Sequence, residues 1–394
     1  EVCRIVSLAP SGRSHFGSSS RWSRFGSCRL FPVLYLPSRR RGAPAQESVM
    51  KAAVAVALAG LTAQLSSALR LQQQDEIVTT DLSRALDCLK KTTPSVRLEY
   101  PQDAEQHVEE IRKAFRPFFK GFVHSYHVED MWMAEFLRKW ETRANGTRLH
   151  DLFGPYIPIF TTWVDPWLHN NIARFRYPAA FIQAFKKVIR KNVPYIAVSQ
   201  NDEGLAGKSE INLAEYPNIL VLSAGGYGHV PVPLMNTFGP TLDYARKSYD
   251  DTLKLQSKRT PLQQRRHFIS YVGTIGHAPH RMRERMKDAV DSFAVSRDLT
   301  DQVLFYHGGS WGDVMLTSRF SLVPRGFGRT AYHLVETIQR GLIPIFVYTD
   351  IPWLPYYDEL SNFIFTTTVE NLPSLLGQLH GMSDHELRAR EHSL

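Results

Sequence analysis

Short apolar runs alternate with helix-prone stretches over most of the chain. The apolar runs, many rich in β-branched residues, predict strands over residues 156–160, 193–199, 218–223, 267–272, 303–306, 320–324, 342–348 and 363–367. Amphipathic or helix-prone stretches predict helices over residues 103–112, 128–141, 177–188, 280–290 and 331–340. Strands that alternate with helices indicate an α/β fold with parallel sheets, the second of about five strands.

The clearest unit is the strand–loop–helix–strand stretch over residues 320–348. The loop carries two arginines and two glycines in the order Arg325, Gly326, Phe327, Gly328, Arg329. Thr330 suits the N-cap of the following helix, and Gly341 suits the position just past its end. Such a βαβ unit implies two neighbouring parallel strands.

This loop is a candidate phosphate site. Helical spacing puts Leu334 and Ile338 on the face toward the sheet and Glu336 on the opposite face. The first amides of the helix, with Arg325 and Arg329 beside them, have the chemistry to bind a phosphate group. The alternative is a ligand-free turn with solvated arginines, and the residues alone leave both open.

An acidic pair marks a second candidate site. Asp202 and Glu203 directly follow the predicted strand over residues 193–199, and ligands of open α/β sheets bind at such strand ends. Either carboxylate could act as a general base. The alternative is a solvated loop in which Asp202 only shapes a turn.

Length and composition allow two domains. The chain has 394 residues, enough for two substantial cores. A polar, basic stretch over residues 253–266 predicts the boundary, with Rossmann-like domains over residues 71–258 and 259–394. In the second domain, Gly273 begins a glycine loop after a strand, and Arg283 lies at the start of the next helix.

Four segments in this order resemble the exostosin family of glycosyltransferases. They are VPRG at residues 323–326, LVETI at 334–338, GLIPI at 341–345 and WLPY at 353–356. The resemblance covers roughly residues 115–380, and it is strongest over residues 320–358.

The resemblance implies a GT-B architecture, with two Rossmann-like domains whose parallel sheets face a cleft. It implies transfer of a sugar, with inversion, from a nucleotide-sugar donor, expected to be a UDP-sugar, to a hydroxyl of a glycan or glycoprotein. The donor would bind the second domain, and Glu336 would accept hydrogen bonds from the ribose hydroxyls. Asp202 or Glu203 would be the base. The remaining donor-binding residues would be Gly273, Arg283, Arg325, Gly326, Gly328, Arg329 and Thr330.

No metal or cofactor is expected. The chain has no Asp-x-Asp sequence, the motif with which metal-dependent sugar transferases hold a cation on the diphosphate. A metal-independent enzyme must neutralise the leaving diphosphate with cationic side chains and helix amides, and Arg325 and Arg283 suit that task.

Two other functions have to be weighed. The net charge of +9 suggests nucleic-acid binding. Residues 1–49, however, contain eight arginines, two glutamates and no lysine or aspartate, so they carry +6 and leave +3 for the rest. We therefore expect no nucleic-acid partner. The second alternative is an inactive exostosin-like protein that binds glycans or serves as a scaffold, which the presence of Arg325 and Glu336 disfavours.

The N-terminal pattern predicts entry into the secretory pathway. Residues 1–49 are expected to be a non-native or disordered basic leader, and residues 50–68 a signal peptide that begins at Met50. A type II membrane anchor over residues 51–69 is the alternative. The expected location is the Golgi lumen, with Asn145 as a glycosylation site.

Two features of the ends complete the sequence picture. Removal of the leader would leave Cys88 as the lone cysteine, without a partner for an intrachain disulfide. Residues 383–394 resemble the start of a helix that stops early, which leaves open whether the chain continues.

Overall fold

The computed structural model describes residues 98–119, 127–168, 175–206, 210–235, 247, 250–255 and 259–394. The predicted leader, the predicted signal peptide or anchor, and Cys88 lie outside these residues. All of the described residues belong to one compact unit. Within that described part, no helix is long and apolar enough to cross a membrane.

The first sheet has four parallel strands in the order β1-β2-β3-β4. They are β1 (Ile157–Pro158), β2 (Tyr195–Ser199), β3 (Ile219–Ser223) and β4 (Val230–Pro231). β2 and β3 are almost wholly buried, as their continuous apolar runs predict. The apolar pattern does not predict β4, because two residues carry no periodic signal.

Helices pack on this sheet through aromatic side chains. The described helices are α1 (Ala104–Phe115), α2 (Val128–Glu141), α3 (Leu149–Phe153), α4 (Val164–Leu168) and α5 (Ala179–Val188). Phe181 is central, with its ring 5.0 Å from that of Phe115 and 5.7 Å from that of Trp163. All three side chains are buried, so burial of large rings holds α1, α5 and the start of α4 together.

Helix α2 has the predicted bounds but a rotated buried face. Trp132 and Trp140 are its buried apolar residues, whereas Met131, Phe136 and Leu137 are only partly buried. Only part of the apolar face of this helix is therefore buried. The rotation also buries Glu129 and Asp130 at the start of the helix.

Helix α4 is not among the predicted helices. One carboxylate oxygen of Glu129 accepts hydrogen bonds from the N–H groups of Trp163 and Val164, at 2.8 and 2.7 Å. Unpaired N–H groups at a helix start need such an acceptor. Glu129, which is distant in sequence, supplies it, so the local pattern does not predict this helix.

The second sheet has five parallel strands in the order β6-β5-β7-β8-β9, which confirms the prediction. They are β5 (His267–Val272), β6 (Val303–Tyr306), β7 (Ser318–Pro324), β8 (Ile343–Tyr348) and β9 (Phe365–Thr368). The described helices are α6 (Met282–Ser296), α7 (Trp311–Met315), α8 (His333–Gln339), α9 (Tyr357–Leu360), α10 (Leu372–His380) and α11 (Asp384–Ser393).

Alternate side chains of the central strands enter two different cores. Leu322 and Ile345 belong to a large core shared with α6 and α10, whereas Val323 and Phe346 belong to a smaller core with Leu334 of α8. Helices thus cover both faces of the sheet, as a parallel sheet requires.

Helix α8 begins two residues later than predicted, and Thr330 is not its cap. The Thr330 hydroxyl donates instead to the carbonyl of Ala224, which follows β3 of the first sheet, at 2.5 Å. The buried residues of α8 are His333, Leu334 and Thr337. Gly341 has a φ of 64°, which confirms its place just past the helix end.

Candidate functional site

Loops at the carboxyl ends of both sheets meet, and most predicted site residues lie in them. Asp202 follows β2, and the glycine cluster at residues 224–228 follows β3. The second sheet contributes the glycine-rich loop (residues 325–330) after β7 and Asp350 after β8. We call this meeting place the junction. Ligands of open α/β sheets bind at such strand ends, so the junction is the candidate site.

Arg325 holds the glycine-rich loop in shape from within. The residue is 5% exposed. Its Nε donates to the Gly328 carbonyl at 3.0 Å, and Nη2 donates to the Phe327 carbonyl at 2.9 Å. Its Nη1 donates to Thr349 Oγ1 at 2.8 Å and to Asp350 Oδ1 at 3.2 Å. Each guanidinium nitrogen thus binds a protein oxygen, and a phosphate role for Arg325 stays a prediction.

Arg329 ties the same loop to the first sheet. Its backbone N–H donates to the Gly225 carbonyl at 2.8 Å, and its Nη1 donates to the Gly226 carbonyl at 2.7 Å. The guanidinium stacks on Tyr227, 4.2 Å from the ring centroid. Its Nε donates to Asp350 Oδ2 at 2.8 Å. These contacts make Arg329 a bridge between the sheets, and its predicted phosphate role also stays a prediction.

Asp350 is the counter-ion of both arginines. Burial disfavours its ionised form, but the charges of Arg329 and Arg325 and the hydrogen bond from Arg329 hold the pKa of its carboxyl below the ordinary value. A buried charge needs a partner of opposite sign. Asp350 supplies this partner for both arginines. Asp350 is not among the predicted site residues; its place just after a predicted strand is the signal that points to it.

Asp202 lies directly against the glycine-rich loop. A Cβ atom on Gly328 would lie 2.8 Å from Asp202 Oδ1 and 2.5 Å from the Gly225 carbonyl oxygen, so only glycine permits this approach. Burial raises the pKa of Asp202, while the Gly328 N–H and the charge of Arg325 oppose the rise. A raised pKa makes a carboxylate a stronger base near neutral pH.

Glu203 occupies a different environment from Asp202. Its N–H donates to Asn201 Oδ1 at 3.1 Å, and its carboxylate charge contributes to the raised pKa of the buried Tyr177. Of the two candidate bases, the structure therefore brings Asp202 to the second sheet and places Glu203 toward the first.

Arg283 joins the two glycine loops of the second sheet. Its Nε donates to the Arg325 carbonyl at 3.0 Å, and its Nη1 donates to the Thr274 carbonyl at 2.8 Å. Its Nη2 lies 3.8 Å from the position that a Cβ atom on Gly326 would take. Gly273 donates its N–H to the Tyr306 carbonyl at 2.9 Å, which fixes the start of the other loop. The predicted residues of both loops thus come together around Arg283.

Glu336 lies one turn into α8, and its charge contributes to the raised pKa of the Tyr271 hydroxyl. Its Oε2 is 3.3 Å from His333 Nδ1, and about a third of its side chain is exposed, 34%. His333 Nε2 is 3.0 Å from Ser321 Oγ on β7. His333, which the sequence analysis does not identify, therefore anchors Glu336 to the sheet while leaving its carboxylate accessible.

Three further side chains of the junction are not among the predicted site residues. Gln200 Nε2 donates to the Tyr332 hydroxyl at 3.0 Å and to the Met235 carbonyl at 2.6 Å. Trp353 Nε1 donates to the Ser223 carbonyl at 2.9 Å. Gln200 and Ser223 belong to the first sheet and Tyr332 and Trp353 to the second, so the Gln200–Tyr332 and Trp353–Ser223 contacts cross the junction.

Buried carboxyl groups lie behind β2. Glu129 Oε2 accepts a hydrogen bond from the Gln200 N–H at 3.1 Å, and its pKa is raised well above the ordinary value by burial and by the charge of Asp130. Burial raises the pKa of Asp130 to about 7, with a further rise from the charge of Asp165 and opposition from the hydrogen bond of the His127 N–H. These groups support the backbone that leads into the junction.

Two other predictions concern metal and modification. Across the described ranges, His, Cys, Asp and Glu side chains form no cluster of three or more that could hold a metal ion. Asn145 is exposed in a turn that includes Gly146, which is the setting that glycosylation requires. Its modification stays a prediction.

Comparison with known proteins gives no family. No protein-family model matches the chain, and no curated protein matches it. The function therefore has to be argued from the junction itself.

Proposed function

We propose that the chain is an exostosin-like glycosyltransferase of GT-B architecture, which moves a sugar from a nucleotide-sugar, expected to be a UDP-sugar, to a glycan hydroxyl. One observation carries the proposal: a carboxyl group of the first sheet, Asp202, lies against a glycine-rich, arginine-bearing loop of the second. A base and an anion-binding loop on facing sheets are the two parts that such a transfer needs.

In the proposed reaction, Asp202 accepts the proton of the acceptor hydroxyl. The acceptor oxygen then forms a bond to the anomeric carbon of the donor sugar, and the bond from that carbon to the diphosphate oxygen breaks. Attack from the face opposite the diphosphate inverts the anomeric centre. Arg283 and the amides of the glycine loop that begins at Gly273 stabilise the charge of the departing diphosphate.

The geometry refines which arginine is expected to meet the diphosphate. Arg325 and Arg329 use their N–H groups on protein oxygens and share the charge of Asp350. Arg283 also donates to two carbonyls, those of Arg325 and Thr274, but these belong to the two glycine loops, and its Nη2 lies 3.8 Å from a Cβ placed on Gly326. We therefore assign the direct contact to Arg283, and we assign to Arg325 and Arg329 the task of holding the loop.

A second candidate is an inactive exostosin-like protein that binds glycans or acts as a scaffold. The observation that favours it is the pairing of both loop arginines with Asp350, which leaves less positive charge for a diphosphate. Glycan binding without turnover of any nucleotide-sugar would support this candidate.

The two carboxylates provide a matched test of the enzyme proposal. Parent, Asp202→Asn and Glu203→Gln are assayed for sugar transfer and donor hydrolysis with a panel of UDP- and GDP-sugars. We expect Asp202→Asn to reduce turnover by about 10²- to 10⁴-fold with nucleotide affinity retained, and Glu203→Gln to behave like the parent. Equal turnover in all three would exclude Asp202 as the base.

A further inference from the structure

Phe327 is an exposed aromatic side chain at the tip of the glycine-rich loop. The residue is 63% exposed and has a glycine on each side, Gly326 and Gly328. Exposure of a whole aromatic ring to water is unfavourable. A ring kept in this position beside a candidate site points to contact with a ligand.

The backbone beneath Phe327 is held in place by hydrogen bonds. Its carbonyl and that of Gly328 accept hydrogen bonds from the buried Arg325 guanidinium, at 2.9 and 3.0 Å. The Gly326 N–H donates to the Thr330 carbonyl at 2.8 Å, and Asp202 packs closely against Gly328. The exposure of the ring is therefore a property of a fixed loop.

Along the loop, Phe327 lies between the two glycines that approach the chemical groups of the proposed reaction. On one side, Gly326 is next to Arg283, whose Nη2 lies 3.8 Å from a Cβ placed on that glycine. On the other side, Gly328 is against Asp202. In a sugar transfer the leaving diphosphate and the base lie on opposite sides of the transferred sugar, so the residue between Arg283 and Asp202 lies where that sugar must pass.

A second ring extends this surface. The His277 ring lies 6.3 Å from the Phe327 ring, with 35° between their planes, and His277 is exposed. The pair offers an apolar surface on the Arg283 side of the loop.

We infer that Phe327 is the platform against which the C–H face of the donor's pyranose ring packs, so that Phe327 positions the sugar and helps to select it. The inference rests on the proposed function. A pyranose whose C–H groups form one apolar face matches the ring in size and removes its exposed carbon atoms from water. Phe327 acts by positioning the sugar and makes no contact with the proton that Asp202 takes.

The test separates the sugar from the nucleotide. Dissociation constants of UDP and of the UDP-sugar that the parent hydrolyses are measured by calorimetry for parent, Phe327→Ala, Phe327→Trp and Val295→Ala. Val295 is a matched control because it is an apolar side chain, 73% exposed, on a helix outside the loop.

We expect Phe327→Ala to weaken binding of the UDP-sugar by about 3- to 10-fold while its affinity for UDP stays at the parent value. Phe327→Trp restores sugar affinity, because it restores a flat ring, and Val295→Ala has no effect. Equal affinities of parent and Phe327→Ala for the UDP-sugar would overturn the inference, as would an equal loss for UDP.

A second measurement does not depend on affinity. Saturation of the aromatic protons of the parent should transfer magnetisation to the C–H protons of the sugar ring, and Phe327→Ala should lose most of that transfer. Unchanged transfer in the variant would overturn the inference. If the parent binds neither UDP nor any nucleotide-sugar, the proposed function itself fails and the inference fails with it.

Discussion

At the scale of single residues, the surroundings of each buried carboxyl group decide its charge. Asp350 has two guanidinium neighbours and a lowered pKa. Asp130 is buried near Asp165, and its pKa rises to about 7. The carboxyl group of Asp350 is thus held ionised, whereas that of Asp130 stays protonated through much of the acid range.

Replacement of Asp350 by asparagine should destabilise the fold. The change removes the charge that pairs with Arg325 and Arg329, whose side chains are only 6% and 8% exposed. Breaking such a pair leaves buried positive charge without compensation. Because Asp350 itself is 38% exposed, we expect a loss of about 2 kcal/mol in the free energy of unfolding, measured with urea.

Glu370→Gln provides the control for this change. Glu370 pairs with Arg285 where the side chains are 64% and 49% exposed, and such pairs contribute little. If Asp350→Asn were as stable as Glu370→Gln, the role of Asp350 as a buried counter-ion would be wrong.

Asp130 should make stability depend on pH. Its folded pKa of about 7 lies above the value near 3.9 expected in the unfolded chain. The folded state therefore binds more protons between these values, and its stability falls as the pH rises from about 4 to 7. Asp130→Asn cannot titrate, and its amide oxygen can still accept from the His127 N–H.

The difference in the free energy of unfolding between the parent and Asp130→Asn isolates the contribution of the Asp130 carboxyl group. We expect the free energy of unfolding of the parent, minus that of the variant, to fall by about 2 kcal/mol between pH 5 and pH 7. The measurement is a series of urea unfolding curves across that range. Parallel pH profiles of the two proteins would contradict the raised pKa.

At the scale of elements, the junction depends on loops that approach each other at backbone distance. Gly328→Ala places a methyl group 2.5 Å from the Gly225 carbonyl oxygen and 2.8 Å from Asp202 Oδ1. We expect a loss of stability of about 1–3 kcal/mol, as for overpacked sites, together with lower turnover in the transfer assay.

Gly309→Ala is the matched control, since Gly309 lies in the loop after β6 and a Cβ there has no atom within 4 Å. Thermal unfolding and the transfer assay compare both variants with the parent. Equal behaviour of the two alanine variants would show that the close contact at Gly328 has no role in holding the loops together.

The same elements show how far the sequence predicts the fold. The runs that form β5 and β6 give those strands at the predicted bounds, because a continuous apolar run is a local signal of a buried strand. The start of α8 and the existence of α4 depend on partners far along the chain. Thr330 bonds to Ala224 and Glu129 caps α4, and no local pattern contains such contacts.

The candidate site, too, is predicted from the sequence only in part. The sequence identifies the glycine-rich loop and Asp202, because both follow predicted strands and carry groups that can bind ligands or move protons. It does not reveal that Arg325 points into its own loop or that Asp350 shares two arginines. Side-chain direction and long-range pairing arise only when the two sheets come together.

At the scale of the whole molecule, two parallel sheets meet through their carboxyl ends within one compact unit. Hydrogen bonds from Arg329, Thr330 and Trp353 to carbonyl groups after or at the end of β3 hold this arrangement. The GT-B architecture that we propose requires such an arrangement, with the donor on one sheet and the base on the other.

Nucleotide-sugar binding tests the central claim most directly. Calorimetric titration with UDP- and GDP-sugars is carried out on parent, Glu336→Ala and Glu105→Ala. Glu336 is expected to hold the ribose hydroxyls, whereas Glu105 is an exposed glutamate on α1. Glu336 is preferable to Arg325 for this purpose, because Arg325 shapes the loop itself.

We predict that the parent and Glu105→Ala bind a UDP-sugar equally and that Glu336→Ala binds it about tenfold more weakly. Absence of binding by the parent, or equal binding by all three proteins, would contradict the proposed donor site.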